Sequence, residues 1–172
     1  MNPVFENIKT RRSIRAYQEQ SIPGEALQMI LDAAVCAPSG KNSQTRQFTV
    51  LRTPKTIQAL SDATAAALER KEYNFFKPAC LIIVSDGTVN SNSGFDCACA
   101  LENIFLMAHG LGIGSCWINQ MKDVENNPQV REMLTALGVP PHHHVYGMAA
   151  LGYASVAPRA MDKSPQVIHF AD

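Results

Sequence analysis

The sequence predicts an α+β fold, a sheet flanked by helices, on three observations. Apolar residues recur at helical spacing in several segments, short apolar runs such as Leu81 to Val84 are mixed among them, and the chain ends in a proline-punctuated, irregular tail. Asn2 and Pro3 suit the cap and first turn of a short amphipathic helix carrying Phe5 and Ile8, which stops before a run of arginines. A second helix starts near Pro23, with Leu27, Ile30, Leu31, Ala34 and Val35 on one face, and ends at Ala37-Pro38-Ser39-Gly40. The stretch from Pro38 to Gln47 is polar and turn-rich, and Gln47 to Leu51 reads as a strand. Thr53-Pro54 caps a helix with Ile57, Leu60 and Leu68 inward, and Leu81 to Val84 is the next strand.

From Phe95 to His109 the sequence is apolar almost all round, the mark of a helix buried on most of its circumference, in the core or against a second subunit. Gly110 to Gly114 ends it, and Ser115 to Ile118 is a strand. Asn127-Pro128 opens a helix with Val130, Met133, Leu134 and Leu137 inward, and Gly138 closes it. Val145 to Tyr153 is the last strand of the sheet. Beyond it Pro158 and Pro165 punctuate a tail whose Val167-Ile168 suits an edge strand or an arm laid on a partner.

At 172 residues, with no break in composition, residues 1–172 read as one domain. The 15 Lys+Arg balance 15 Asp+Glu, so the basic excess of a nucleic-acid binder is absent. Only 17% of residues are charged and 46% are hydrophobic, which points to buried area beyond that of a lone domain, as in a subunit interface. The first residues lack a secretory signal and no apolar run approaches the length of a membrane helix, so a cytoplasmic protein with no membrane partner is expected. Five cysteines in apolar contexts read as small core residues of a reducing compartment, not as a disulfide framework. Cys97 and Cys99, two apart on a presumed helix, face different directions and belong to the core on this reading.

The chemistry begins at Arg11-Arg12-Ser13-Ile14-Arg15. Three guanidiniums and a hydroxyl on irregular backbone can converge on one phosphate, because the planar fork of arginine matches its oxygens and stays charged. A solvated basic turn is the other reading of such a run. Two further stretches come after it along the chain: Ala37-Pro38-Ser39-Gly40-Lys41-Asn42-Ser43-Gln44, and Gly110-Leu111-Gly112-Ile113-Gly114-Ser115-Cys116-Trp117-Ile118. The glycines of the last stand after a helix and before a strand, the reverse of a dinucleotide-binding turn.

Taken together, the three stretches resemble the FMN-dependent nitroreductase family over nearly the whole chain. The resemblance implies a nitroreductase-like fold with a mostly antiparallel central sheet, a homodimer with FMN in the subunit interface, and a C-terminal arm reaching the partner. It implies that Arg11, Arg12 and Ser13 hold the phosphate, and that Arg15 reaches the pyrimidine side of the ring and stabilises reduced flavin. Pro38, Ser39, Gly40, Asn42 and Gln44 match the loop contributed by the other subunit, although Gln44-Thr45-Arg46 departs from the family's Gln-Pro-Trp run. Trp117, Ile118 and Asn119 lie at the strand end near flavin N5, with plain core as the default reading of Trp117. Arg159 matches a basic residue that returns to the phosphate, and Lys163 stands near it.

The expected activity is hydride transfer from NADH or NADPH through flavin N5 to a nitroaromatic, quinone or similar flat acceptor, in a ping-pong sequence with no catalytic side chain. A flavin carrier or sensor with little turnover, or a relative that fragments flavin or removes halogen, is the alternative. His142-His143-His144 reads as a polar loop in preference to a metal tract, because adjacent imidazoles on extended chain point alternately and do not close a site alone.

Overall fold

The computed structural model describes residues 2–88, 91–158, 166 and 168–171. Ten elements succeed one another: α1 (Pro3–Thr10), α2 (Gly24–Val35), β1 (Arg46–Leu51), α3 (Pro54–Ala67), β2 (Cys80–Asp86), α4 (Ser93–Gly110), β3 (Gly114–Ile118), α5 (Met121–Val124), α6 (Pro128–Ala136) and β4 (His144–Gly152). A 3-10 turn at Gly40–Asn42 sits in the polar loop after α2. Several helix starts coincide with prolines. Pro3, Pro54 and Pro128 each open a helix, where their missing N–H costs nothing. Asn2 and Asn127 cap α1 and α6 with side-chain oxygens that accept backbone N–H groups, whereas Thr53, expected to cap α3, makes no such bond.

The strands form one antiparallel sheet in the order β1-β2-β4-β3. Strand β2 lies inside the sheet and all seven of its residues are buried, so its side chains feed two cores in alternation. Leu81 and Ile83 pack with Ile57, Leu60, Val130, Leu134, Cys116 and Ile118 on the side of α3, α5 and α6. Cys80, Ile82 and Val84 pack with Ile30, Ala34, Cys97, Leu101 and Ile104 on the side of α2 and α4.

The expectation that α4 is buried on most of its circumference is only partly met. Cys97, Leu101, Ile104, Phe105 and Ala108 face the sheet, but Phe95 is 73% exposed. Two cysteines expected in the core, Cys36 and Cys99, are exposed, while Cys80, Cys97 and Cys116 are buried. Val35, placed on one face of α2 by spacing, is the last residue of the helix and is exposed. Ile168 is exposed and in no strand, and Arg159, Lys163 and Val167 lie outside the described residues.

Candidate functional site

The arginine run leaves α1 and is laid along the open edge of β3. Ile14 N–H donates to the Ser115 carbonyl at 2.8 Å within a parallel bridge between Ser13 and Ser115, and Gln18 N–H donates to the Tyr153 carbonyl at 2.8 Å. Close approach depends on glycine. A Cβ on Gly114 would meet Ile14 at 2.7 Å, and one on Gly152 would meet the Tyr17 ring at 2.9 Å. Tyr17 fastens the far end, its hydroxyl donating to the carbonyls of Ile14 at 2.7 Å and Ala150 at 3.0 Å, and burial pushes its phenol well above the ordinary range.

The segment is thus fixed while its cations find no carboxylate among the described residues. Among the described residues the ion pairs are those of Arg131 and His144 with Glu125, and none involves Arg11, Arg12 or Arg15. Arg11 sits over the Phe105 ring at 5.9 Å and Arg15 over the Phe76 ring at 5.9 Å. Arg12 is turned back, with Nη1 donating to the carbonyls of Lys9 at 2.8 Å and Arg11 at 2.7 Å. The positive field is felt by His109, held below its ordinary value by burial and by Arg11 and Arg12. It also opposes the rise that burial imposes on the Cys116 thiol, through the charges of Arg15 and Arg11 and an Arg15 hydrogen bond.

Strand β3 continues beneath this cluster. Trp117 is 37% exposed, against the default reading of plain core, and leans on Phe105 with ring centroids 6.0 Å apart. Gly147 on β4 makes the room, since a Cβ there would meet the indole Nε1 at 2.9 Å. The Ile118 side chain is buried in the core on the other face, so only its backbone is available to a ligand. Asn119 is exposed, and its N–H donates to Gln120 Oε1 at 3.3 Å.

The second expected group lies elsewhere. Gly40 N–H donates to both carboxylate oxygens of Asp96, at 2.9 and 3.0 Å, in the first turn of α4. Arg46 ties the loop down through Nη1 to the carbonyls of Pro38 at 2.9 Å and Asp96 at 2.8 Å, and through Nη2 to Ala37 at 2.8 Å. Sequence reasoning passed over Arg46 and Asp96, whose pairing across fifty residues has no local signature. Lys41, Asn42 and Gln44 all have positive φ, at 55°, 54° and 51°, a conformation that non-glycine residues keep only where their surroundings impose it. Gln44 Nε2 donates to Asn42 Oδ1 at 2.8 Å and Gln44 N–H to Ser39 Oγ at 3.1 Å, which leaves Asn42 Nδ2 and Gln44 Oε1 without a protein partner among the described residues.

Helix α4 separates the two groups. Arg11 meets it at Phe105 and Gly40 meets it at Asp96, nine residues or about 13 Å along the axis and on opposite sides of the helix. No hydrogen bond joins the Arg11–Arg15 segment to the Pro38–Gln44 loop among the described residues.

The Nitroreductase family matches this chain over residues 8–85 and 69–153. The chain belongs to the nitroreductase family. The crystal structure of a nitroreductase with bound FMN from Bacteroides fragilis is similar to it at a TM-score of 0.93 and 36% identity, each chain covered in full. A protein of Methanothermobacter thermautotrophicus, provisionally named an NADH dehydrogenase/NAD(P)H nitroreductase, is 32% identical over 170 residues, 96% of this chain and 85% of the relative. One of the same provisional name from Archaeoglobus fulgidus is 32% identical over 157 residues, 89% of this chain and 86% of the relative.

In this nitroreductase two of the histidines after Pro141 are hydrogen-bonded into the fold. His144 Nδ1 meets Glu125 Oε1 at 2.7 Å, and Val145 N–H donates to Glu125 Oε2 at 2.5 Å. His143 Nδ1 pairs with Ser85 Oγ at 3.1 Å. No group of three or more His, Cys, Asp and Glu is gathered as metal ligands would be among the described residues. None of the helices described is long and apolar enough to cross a membrane.

Proposed function

We propose that this nitroreductase is an FMN-dependent oxidoreductase that takes hydride from NADH or NADPH and reduces nitroaromatic, quinone or similar flat acceptors by a ping-pong sequence. The observation that carries the reading is the set of guanidiniums with no carboxylate partner, fixed along β3 by backbone bonds. Such a set fits a ligand that brings its own negative charge, as the phosphate of FMN does. The FMN bound to the Bacteroides fragilis relative supports the same choice.

In this reading Arg11 and Ser13 would hold the phosphate, with Arg12 joining once released from the Lys9 and Arg11 carbonyls. Arg15 would place a fixed cation beside the ring, where charge builds on reduction. The exposed indole of Trp117 and the backbone of Ile118 and Asn119 would border the ring. The redox chemistry is the flavin's when bound, since it accepts a hydride and later yields it. The chain positions the ligand, and no nucleophile or general base is asked of it.

The Pro38, Ser39, Gly40, Asn42 and Gln44 loop would serve the flavin of a second copy. The α4 separation supports this, as does α1, which has no buried residue and shows Val4, Phe5 and Ile8 to its surroundings. Phe95, near the other end of α4, is a further exposed apolar residue. A homodimer with composite sites covers these faces, and we read residues 1–172 as one domain of a cytoplasmic enzyme.

Anaerobic mixing of the FMN-loaded protein with NADH or NADPH tests the reading. Rapid bleaching of the flavin absorbance, restored by a quinone or nitroaromatic, is expected. A protein that stays colourless in excess FMN contradicts the cofactor, and one that holds FMN without bleaching is a carrier.

A further inference from the structure

Between α3 and β2 the chain places three aromatic rings, Tyr73, Phe75 and Phe76, within four residues. Phe75 is 1% exposed and anchors the segment in the core, with the Tyr73 ring against it edge-on at 5.9 Å. The backbone then takes an uncommon course. Phe76 and Lys77 both lie in the left-handed region, at φ of 65° and 49°, and the Phe76 N–H donates to Asn74 Oδ1 at 2.7 Å. Two consecutive non-glycine residues keep this conformation only where neighbouring groups over-determine it. The half-buried Phe76 ring ends beneath the Arg15 guanidinium, whose Cζ lies 5.9 Å from the ring centroid.

Besides the ring, Arg15 has a hydrogen bond with the Cys116 thiol. It has no carboxylate partner among the described residues, and a long exposed side chain of this kind samples many rotamers. The other end of the segment is tied to the same strand end, since the Tyr73 hydroxyl donates to Gln120 Oε1 at 3.1 Å and that oxygen also accepts the Asn119 N–H at 3.3 Å. We propose that Phe76 is a positioning residue of the flavin site, its ring holding the Arg15 guanidinium in the orientation from which that cation acts on the ligand. The inference rests on the FMN reading above. An aromatic face attracts a guanidinium through its quadrupole, and the left-handed turn sets where that face stands. Phe76 also packs against the core, so a purely structural role is the competing account.

The test compares wild type, F76L, F76Y, R15A and the R15A/F76L double variant for FMN affinity, for the midpoint potential of the bound flavin and for melting temperature. F76L is expected to weaken FMN binding about two- to five-fold and to lower the potential, because the reduced anion loses an ordered cation. F76Y keeps the ring and both properties, and F76L adds nothing once Arg15 is gone. F76M, which fills similar volume without a ring, gives the same reading if F76L does not fold. Affinity and potential unchanged in F76L, with only the melting temperature lowered, overturn the inference, as does a full F76L effect in the R15A background. Wild type without affinity for FMN overturns the functional reading and this inference with it, whereas wild type that binds beside an unaltered F76L overturns this inference alone.

Discussion

Replacing Arg11 by Ala separates binding from folding. Arg11 is half-buried and without a carboxylate partner, and its guanidinium touches the Phe105 ring at 5.9 Å. Folding therefore loses only a ring contact of about 0.5–1 kcal/mol, a fall in melting temperature of about 2–4 °C at most. Binding loses a charge-assisted bond to phosphate of about 1.5–3 kcal/mol, which weakens FMN by about 10- to 150-fold. Arg12→Ala is expected to cost less, because Arg12 Nη1 is already held by the carbonyls of Lys9 and Arg11. Trp117 is the single tryptophan of the chain and stands exposed beside the cluster, so quenching of its emission reports the titration. Wild-type affinity in a folded Arg11→Ala protein would refute the assignment of the phosphate to this segment.

Gly114→Ala puts a methyl group 2.7 Å from Ile14 and should displace the arginine segment, with a loss of about 1–3 kcal/mol in urea unfolding and weaker FMN retention; unaltered values in both would show that the segment yields freely. Glu125→Ala leaves the buried Val145 N–H without its acceptor and frees His144 and Arg131 from their shared carboxylate, and a loss of about 1–3 kcal/mol is expected by the same measurement. Burial pushes the thiols of Cys80 and Cys97 from 9.0 up to about 12, so the unfolded chain releases these protons first. Stability is then complete below about pH 9 and falls as pH rises above it, and a urea midpoint constant from pH 8.5 to 10 would contradict this. His109 is held low by burial and by Arg11 and Arg12, so a phosphate that neutralises those cations should raise its titration midpoint in NMR, and no movement on adding FMN would count against the site.

The sequence announced most helix starts because proline and asparagine act locally. Pro3, Pro54 and Pro128 with Asn2 and Asn127 mark positions no other part of the fold needs to specify. The order β1-β2-β4-β3 was not legible from spacing, since pairing β2 with β4 depends on contacts about sixty to seventy residues apart. The exposure of Phe95 and Cys99 was hidden for a related reason: a helix apolar all round gives no moment to tell its inner from its outer face. Of the site, the arginines were visible as a run of charges, and their freedom from carboxylates required the fold. The left-handed Phe76 and Lys77 carry no glycine or Asn-Gly signal, so the ring beneath Arg15 could not be foreseen.

The placement of the basic segment and the Pro38–Gln44 loop on opposite sides of α4 has a genetic consequence. In the homodimer proposed above each pocket would draw one wall from each polypeptide, so a lesion in the arginines and a lesion in the loop would be complementing defects. After subunit exchange between two such inactive proteins, every mixed dimer carries one doubly damaged pocket and one wholly intact pocket. About a quarter of all pockets should then regain function at equal mixing with random reassortment. Two alleles of this gene, each null alone, would restore activity when expressed together.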